Sequence, residues 1–138
     1  MSFHDAIYYE TQNSAGITAV VGTRVFLAGD VPQESAQPYL VLQRISGIQE
    51  DHQGGDALID ARYQFSCVGA TLSSARSVAA AVITEFKHYR GAMGEVGSTV
   101  NVRDAQIEND ADAPIYPTGG SERGPQMYIV DIRFIYAA

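Results

Sequence analysis

The stretch that decides the fold is QMYIVDIRFIY, at residues 126–136 near the end of the chain. Its side chains alternate between two sides, as they do in a β-strand, where successive residues point to opposite faces of the sheet. One side carries only large apolar residues, namely Tyr128, Val130, Ile132, Phe134 and Tyr136. We therefore expect a strand that buries this side against the core of the protein.

A second strand and a helix precede this run. Residues 57–69 alternate in the same way, with Ile59, Ala61, Tyr63, Phe65 and Cys67 expected on the inward face. Residues 71–90 instead place apolar side chains at helical spacing behind Thr71, which is a good helix N-cap. The pattern predicts one amphipathic helix packed against the sheet.

The remaining elements are shorter or less regular. Ser2 and Asp5 resemble a capping box for a first helix, which residues 13–16 interrupt before a short second helical turn over residues 17–21. Residues 23–27 are candidates for a brief strand pairing, and residues 39–46 and 100–107 are predicted strands. The connections over residues 47–56 and 108–125 are long, acidic and glycine-bearing.

This order predicts an α+β fold in a single domain, residues 1–138, with the elements in the order α-β-β-α-β-β. We expect a four-stranded, mostly antiparallel sheet with the helices packed on one face. No sequence repeat or linker divides the 138 residues, and this length is ordinary for one core.

Composition excludes several functions. Nine basic and sixteen acidic residues give a net charge of -7, the wrong sign for a protein that grips phosphate backbones, so sequence-specific nucleic-acid binding is not expected. No segment has the length and hydropathy of a membrane span or a signal peptide, which favours synthesis in the cytoplasm. The single cysteine, Cys67, falls on the inward face of its strand and is predicted to be a buried core residue.

No catalytic, cofactor-binding or metal-binding motif is present, and none of these sites is predicted. Gly91, Gly94 and Gly97 are spaced like a nucleotide loop but follow a helix instead of joining a strand to a helix, which favours a helix stop. The acidic loop with Glu50, Asp51 and Asp56 fits neither a calcium loop nor a zinc motif. Its carboxylates are therefore expected to be solvated.

The outward side of residues 126–136 carries more apolar surface than a solvated face requires. Met127, Ile129 and Ile135 lie there beside Asp131 and Arg133. Such a surface on a small protein is typical of an interface, so we predict that these three residues contact another copy of the chain.

Five segments resemble the tail terminator, or tail-completion, family of long-tailed bacteriophages and related prophages. They are Val21-Gly22-Thr23-Arg24-Val25-Phe26, Pro38-Tyr39-Leu40-Val41-Leu42, Ala61-Arg62-Tyr63-Gln64-Phe65-Ser66-Cys67, the alanine-rich helix, and Asp131-Ile132-Arg133-Phe134-Ile135-Tyr136. The resemblance implies an α+β subunit of a homohexameric ring in the virion. Such a ring caps the head-proximal end of the tail tube, docks the head connector, lets DNA pass, and has no enzyme activity or cofactor.

The resemblance leaves other possibilities open. The broken first helix and the two long connections depart from the family pattern, so no individual contact residue is carried over. Acidic residues of the long connections, Glu50, Asp51, Asp56, Asp110 and Asp112, are candidates for contact with the channel or the tube, with plain solvation as the alternative. A different neck or head-closure component is the second function, and a small-ligand-binding α+β domain is a distant third.

Overall fold

The computed structural model describes residues 2–32, 35–50, 58–113 and 125–137. In chain order these residues form α1 (Phe3–Asn13), α2 (Ala15–Val21), β1 (Val25–Leu27), β2 (Tyr39–Glu50), β3 (Leu58–Gly69), α3 (Leu72–Phe86), β4 (Gly91–Met93), β5 (Val100–Asp112) and β6 (Gln126–Ala137). None of the helices in these ranges is both long enough and apolar enough to cross a membrane.

The strands form one six-stranded mixed sheet in the order β1-β2-β3-β6-β5-β4, curved into a half-barrel. β1 runs parallel to β2, and all the other neighbouring pairs are antiparallel. The predicted four-stranded, mostly antiparallel sheet with helices packed on one face is therefore wrong. The two added strands, β1 and β4, have three residues each, too few to show a period of two in the sequence.

Bulges help to explain how the sheet curves. Ile45 in β2, and Arg103 and Glu108 in β5, lie where the pairing register shifts by one residue. An extra residue bends its own strand and increases the local twist. Both long strands that lie next to an edge strand are therefore bent, which suits a half-barrel better than a flat sheet.

The break in the N-terminal helical region is confirmed. Ser2 Oγ accepts the N–H of Asp5 at the start of α1, and Ser14 both ends α1 and caps α2 by accepting the N–H of Ile17. Ser14 and Thr11 are buried, and the Thr11 hydroxyl donates to the carbonyl of Ile7. One serine therefore lets the chain turn between two helices without losing a cap.

The core lies between the helices and the face of the sheet that carries Ala61, Tyr63, Phe65, Val130, Ile132 and Phe134, here called the inner face. Phe86 of α3 contacts Phe65 at 5.3 Å and Phe134 at 5.6 Å between ring centroids, while Phe3 of α1 stacks on Tyr136 at 4.0 Å. Cys67 is buried among these residues, as predicted, and burial raises the pKa of its thiol to about 12.

A glycine allows α3 to start close to the sheet. A Cβ on Gly69, the last residue of β3, would come within 2.8 Å of the backbone nitrogen of Ala75. The helix that follows therefore packs over β3 and β6 immediately after a short turn at residues 70–71. α3 ends at Phe86 with Lys87 as its C-cap, four residues before the predicted end at 90.

The two long connections are partly strand. Residues 47–50 continue β2, and residues 108–112 continue β5, so the predicted loops begin later than expected. Leu58 pairs with Ala137 at one end of the sheet, and Gly69 pairs with Gln126 at the other. The β2–β3 and β5–β6 connections therefore leave the sheet at opposite ends. Because β3 has twelve residues, these two ends are about 36 Å apart.

Candidate functional site

The face of the sheet opposite the inner face, here called the outer face, carries the predicted interface residues. Met127, Ile129 and Ile135 of β6 all lie on it and are half-buried. Their inner neighbours Val130, Ile132 and Phe134 are fully buried. The alternation predicted for residues 126–136 is confirmed, and both faces of this strand are largely apolar.

Two of the three predicted residues belong to a larger apolar cluster. Ile129 pairs with Ser66, which pairs in turn with Val41, and Met127 pairs with Val68, which pairs with Tyr39. Phe26 of β1 pairs with Val41 and meets the ring of Tyr39 at 5.9 Å between centroids. The cluster of Phe26, Tyr39, Val41, Met127 and Ile129 is called the outer patch below.

Ile135 lies apart from the outer patch. It is six residues from Ile129 along β6, or about 20 Å, and it pairs with Asp60 on β3 and Asp104 on β5. An isoleucine between two carboxylates is a poorer apolar anchor than one beside serine and alanine. The structure therefore brings together two of the three predicted interface residues and separates the third.

Between the outer patch and Ile135 the outer face is charged. Arg133 donates from Nε to Asp60 Oδ2 at 2.7 Å and forms an ion pair with the same carboxylate. Arg62 faces Arg133 directly across the strands, and like charges in that position repel. Asp104 and Asp131 each bury one carboxylate oxygen that receives no hydrogen bond from the part of the chain that the structure describes.

Unpaired buried carboxylate oxygens are unfavourable, because the oxygen has lost water without gaining a donor. Both examples lie on the outer face, since Asp131 alternates with Val130 and Asp104 pairs with Ile135. The outer face therefore combines half-buried apolar side chains with two carboxylate oxygens that have no hydrogen-bond partner among the described residues.

The predicted acidic positions separate into two groups. Glu50 is the last residue of β2, at the end of the sheet marked by Leu58 and Ala137, while Asp110 and Asp112 are in β5 at the other end. Asp51 and Asp56 lie outside the described residues. Glu50 therefore lies at the opposite end of the sheet from Asp110 and Asp112.

Asp110 and Asp112 also have partners inside the subunit. Arg76 of α3 holds both oxygens of Asp112, at 3.2 Å from Nε and 2.8 Å from Nη2, and Tyr128 donates to Asp110 at 3.1 Å. The hydrogen bond and negative charge of Asp112 raise the pKa of Arg76. Arg76 thus ties the far end of β5 to α3, and Tyr128 ties it to β6.

A pair of glutamates joins the helices on the other side of the molecule. Ser14 donates to Glu85 Oε2 at 3.0 Å, and the Tyr89 hydroxyl lies 3.0 Å from Glu10 Oε1 and 2.8 Å from the carbonyl of Ala92. Burial raises the pKa of Glu85, and the hydrogen bond and negative charge of Glu10 raise it further. The hydrogen bond from Ser14 acts in the opposite direction and lowers this pKa. Burial and Glu10 also raise the pKa of Tyr89.

The described residues line a cavity but bring no set of metal ligands together. Within residues 2–32, 35–50, 58–113 and 125–137, no three His, Cys, Asp or Glu side chains gather to hold a metal ion. His88 instead makes a backbone contact, donating its N–H to the carbonyl of Ala105 at 2.9 Å. One cavity of about 330 Å³ is lined by Ala70, Thr71, Leu72 and Gln126, which carry no titratable side chain.

Sequence reasoning missed three members of the outer patch, Phe26, Tyr39 and Val41. The signal was present, because Tyr39 and Val41 alternate with Leu40 and Leu42, so that the strand is apolar on both faces. Pairing register was needed to place them beside Met127 and Ile129.

Comparison with known proteins gives consistent results. The family described as tail completion protein gp17 matches residues 5–114.

A chain of a structure titled "Virion of native gene transfer agent (GTA) particle" is 18% identical with a TM-score of 0.74, covering 96% of this chain and 92% of that one. A second solved structure is 22% identical with a TM-score of 0.56, covering 99% of this chain and 96% of that one. No curated protein matches the chain. At these identities the two structures show a shared fold alone.

Proposed function

Because the chain belongs to the tail completion protein gp17 family, whose members are structural proteins of phage tails, we propose that it forms a ring capping the head-proximal end of a tail tube. The ring ends polymerisation of the tube and offers a docking face to the head connector. The family match over residues 5–114 is the observation that carries this proposal. The fold shared with a chain of the gene transfer agent virion supports it.

The outer patch is the proposed contact between neighbouring copies. A closed ring needs a heterologous contact, in which one surface of each copy meets a different surface of the next. Met127 and Ile129 supply half-buried apolar area that a neighbouring copy would cover. Ile135 contributes at the margin of this contact, because it lies between Asp60 and Asp104.

The two ends of the sheet suit two different axial partners. In a ring whose strands run along the axis, the end of the sheet with Asp110 and Asp112 faces one way, and the end at which β2 finishes, at Glu50, faces the other. One end meets the tail tube protein and the other meets the connector or head-closure protein. Acidic groups on a channel wall would repel DNA and let it pass without sticking.

The remaining features of the proposal follow from this role. The whole chain, residues 1–138, acts as one unit of a homohexamer that is assembled in the host cytoplasm and carried in the virion. Its partners are its own copies, the tail tube protein and the connector, with no cofactor, no membrane and no sequence-specific DNA contact.

Electron microscopy of tails that carry an epitope tag on this protein tests the position of the ring. We expect label at the head-proximal end of the tube, and tubes of irregular length when the protein is withheld. Label at the portal would instead select a neck or head-closure component. Label along the whole tube, or absent from tails, would overturn both.

A further inference from the structure

Two long stretches of strand have a free edge among the described residues. β1 pairs only with residues 40–42 of β2, and β4 pairs only with residues 100–102 of β5. Residues 43–47 of β2, here called the open β2 edge, and residues 106–112 of β5, here called the open β5 edge, therefore have a described strand on one side alone. Such edges are templates for pairing with another chain, because their outward N–H and C=O groups lack strand partners.

The two open edges carry opposite charges. Glu108, Asp110 and Asp112 are exposed on the open β5 edge. The open β2 edge has no acidic residue, and it carries the exposed Arg44 beside Ile45, an apolar side chain that is 47% exposed. Arg44 takes part in none of the ion pairs found among the described residues. Two open β5 edges would repel each other, whereas an open β5 edge and an open β2 edge attract.

The strand directions suit a contact between copies that share one orientation. β2 is antiparallel to β3, β3 to β6, and β6 to β5, so β2 and β5 run in opposite directions within the subunit. Copies standing side by side in the same orientation therefore place β2 of one antiparallel to β5 of the other. The two edges lie on opposite sides of the sheet, so the contact is heterologous and repeats around a ring.

The short strand β1 determines how far neighbouring copies are displaced. The register through β3 and β6 puts Leu42 level with Asp110, so β1 of the next copy would overlap the end of β5 if both copies stood at the same height. A displacement of four residues, about 13 Å along the strands, moves β1 past that end. Because side chains alternate with a period of two, an even displacement also keeps the inner faces together. Arg44 of the next copy is then level with Asp112 and lies beside Asp110.

This displacement agrees with the geometry of a closed sheet. Each copy adds β2, β3, β6 and β5 to the joined sheet, which is four strand spacings or about 19 Å. A displacement of about 13 Å over about 19 Å inclines the strands by about 35° to the ring axis, and strands of closed barrels are inclined by about 35–45°. The two ends of the sheet still face opposite rims at this angle.

We infer that the open β5 edge of one copy pairs with the open β2 edge of the next copy, which joins their sheets. This inference rests on the ring proposed above and names a second contact in it, separate from the outer patch. Copies of net charge -7 repel one another, so a ring needs local complementarity where copies meet. Arg44 beside Asp110 supplies it, and the strand pairing sets the displacement of neighbouring subunits.

A charge swap tests the contact. Arg44→Asp and Asp110→Arg should each weaken self-association about tenfold, as expected for loss of a close interfacial pair. The double variant should restore it. Gln12→Arg on α1 and Thr84→Glu on α3 introduce charge at exposed helix positions away from both open edges, and these controls should behave like the native chain. Sedimentation velocity, with and without purified tail tubes, measures association.

Hydrogen exchange gives a second readout, on the backbone. Strand pairing protects amides that a contact between side chains alone would leave free to exchange. In assembled rings, residues 43–47 and 106–112 should both exchange more slowly than in the free subunit. Arg44→Asp should remove this protection from both segments, and the double variant should return it.

Two results would overturn the inference. One is a loss of association in Arg44→Asp or Asp110→Arg that the double variant does not restore. The other is a ring in which both open edges exchange as fast as in the free subunit, and the proposed ring would then stand without this contact. If the ring forms and responds to the swap but lies elsewhere in the particle, the inference stands and the proposed position of the ring fails.

Discussion

The two faces of β6 differ in what covers them. On the inner face Phe134 is fully buried, with the rings of Phe3, Tyr63 and Phe86 between 5.4 and 6.0 Å away. On the outer face Ile129 is half-buried, between the small residues Ser66 and Ala111. The apolar side chains on one face of the strand are thus buried by folding, whereas those on the other face stay partly exposed in the subunit. A substitution on the inner face should therefore lower stability, whereas one on the outer face should weaken self-association.

The largest expected effect is on the inner face. Phe134→Ala removes a ring that contacts two helices and a neighbouring strand, and such truncations cost about 3–5 kcal/mol. We expect a large loss in the free energy of unfolding, measured by urea denaturation monitored by circular dichroism. A change below about 1 kcal/mol would show that the inner face is not the core of the fold.

Ile129→Asp should separate folding from assembly. Because Ile129 is only half-buried, we expect a small cost in the free energy of unfolding, about 1 kcal/mol, but loss of self-association. Light scattering measures the oligomer mass, and denaturation of the same samples confirms that the subunit is folded. Ile135→Asp is the matched control, expected to weaken association less because Ile135 already lies between two carboxylates. An unchanged mass for Ile129→Asp would contradict the proposed contact.

The contact between Glu10 and Glu85 predicts a pH dependence of stability. The pKa of Glu85 is raised in the folded protein, so the folded state holds its proton more tightly than the unfolded chain does. The contribution of Glu85 to stability should be greatest below the ordinary glutamate range and should be lost as pH rises through the raised pKa. Glu85→Gln should flatten this slope, as followed by thermal denaturation at a series of pH values. An equal slope in both proteins would contradict the assignment.

The smallest expected effect is at the ion pair between Arg76 and Asp112. Both side chains are largely exposed, and water and salt weaken such pairs. Arg76→Gln should leave the melting temperature close to that of the native chain. It should, however, increase hydrogen exchange in the last residues of β5, because the contact to α3 is lost. Unchanged exchange there would show that the pair does not hold this end of the strand.

Sequence alone identified the parts of the fold with long, regular periodicity. β3, β6 and α3 were predicted because each shows its repeat over a dozen residues or more. β1 and β4 were not assigned as sheet strands because three residues cannot establish a period, and their neighbours β2 and β5 supply the pairing that makes them strands.

The ends of β2 and β5 could not be predicted for a different reason. Gly47, Asp110 and Asp112 have low strand propensity and suggest loops. In the structure, the Arg44 guanidinium occupies the space that a side chain at position 47 would need, and Asp110 and Asp112 are held by Tyr128 and Arg76. These contacts join residues distant in sequence, and they outweigh local preference.

The candidate contact surface was only partly predictable. The alternation of residues 126–136 placed Met127, Ile129 and Ile135 on the outer face. It could not show that Ile135 lies outside the apolar cluster to which the other two belong. That distinction depends on the neighbours across the strands, Ser66 and Ala111 for Ile129, and Asp60 and Asp104 for Ile135. Pairing register is a property of the folded sheet.

The departure of the two connections from opposite ends of the sheet makes the subunit directional. A ring of such subunits, all in one orientation, has two rims of different chemistry, and a tube that recognises one rim has no reason to recognise the other. A tube grows because each added layer recreates the surface to which it was added. A layer of a different protein whose exposed rim does not match that of the tube protein would break that recurrence, and growth would then stop after a single addition without any measuring device or energy source.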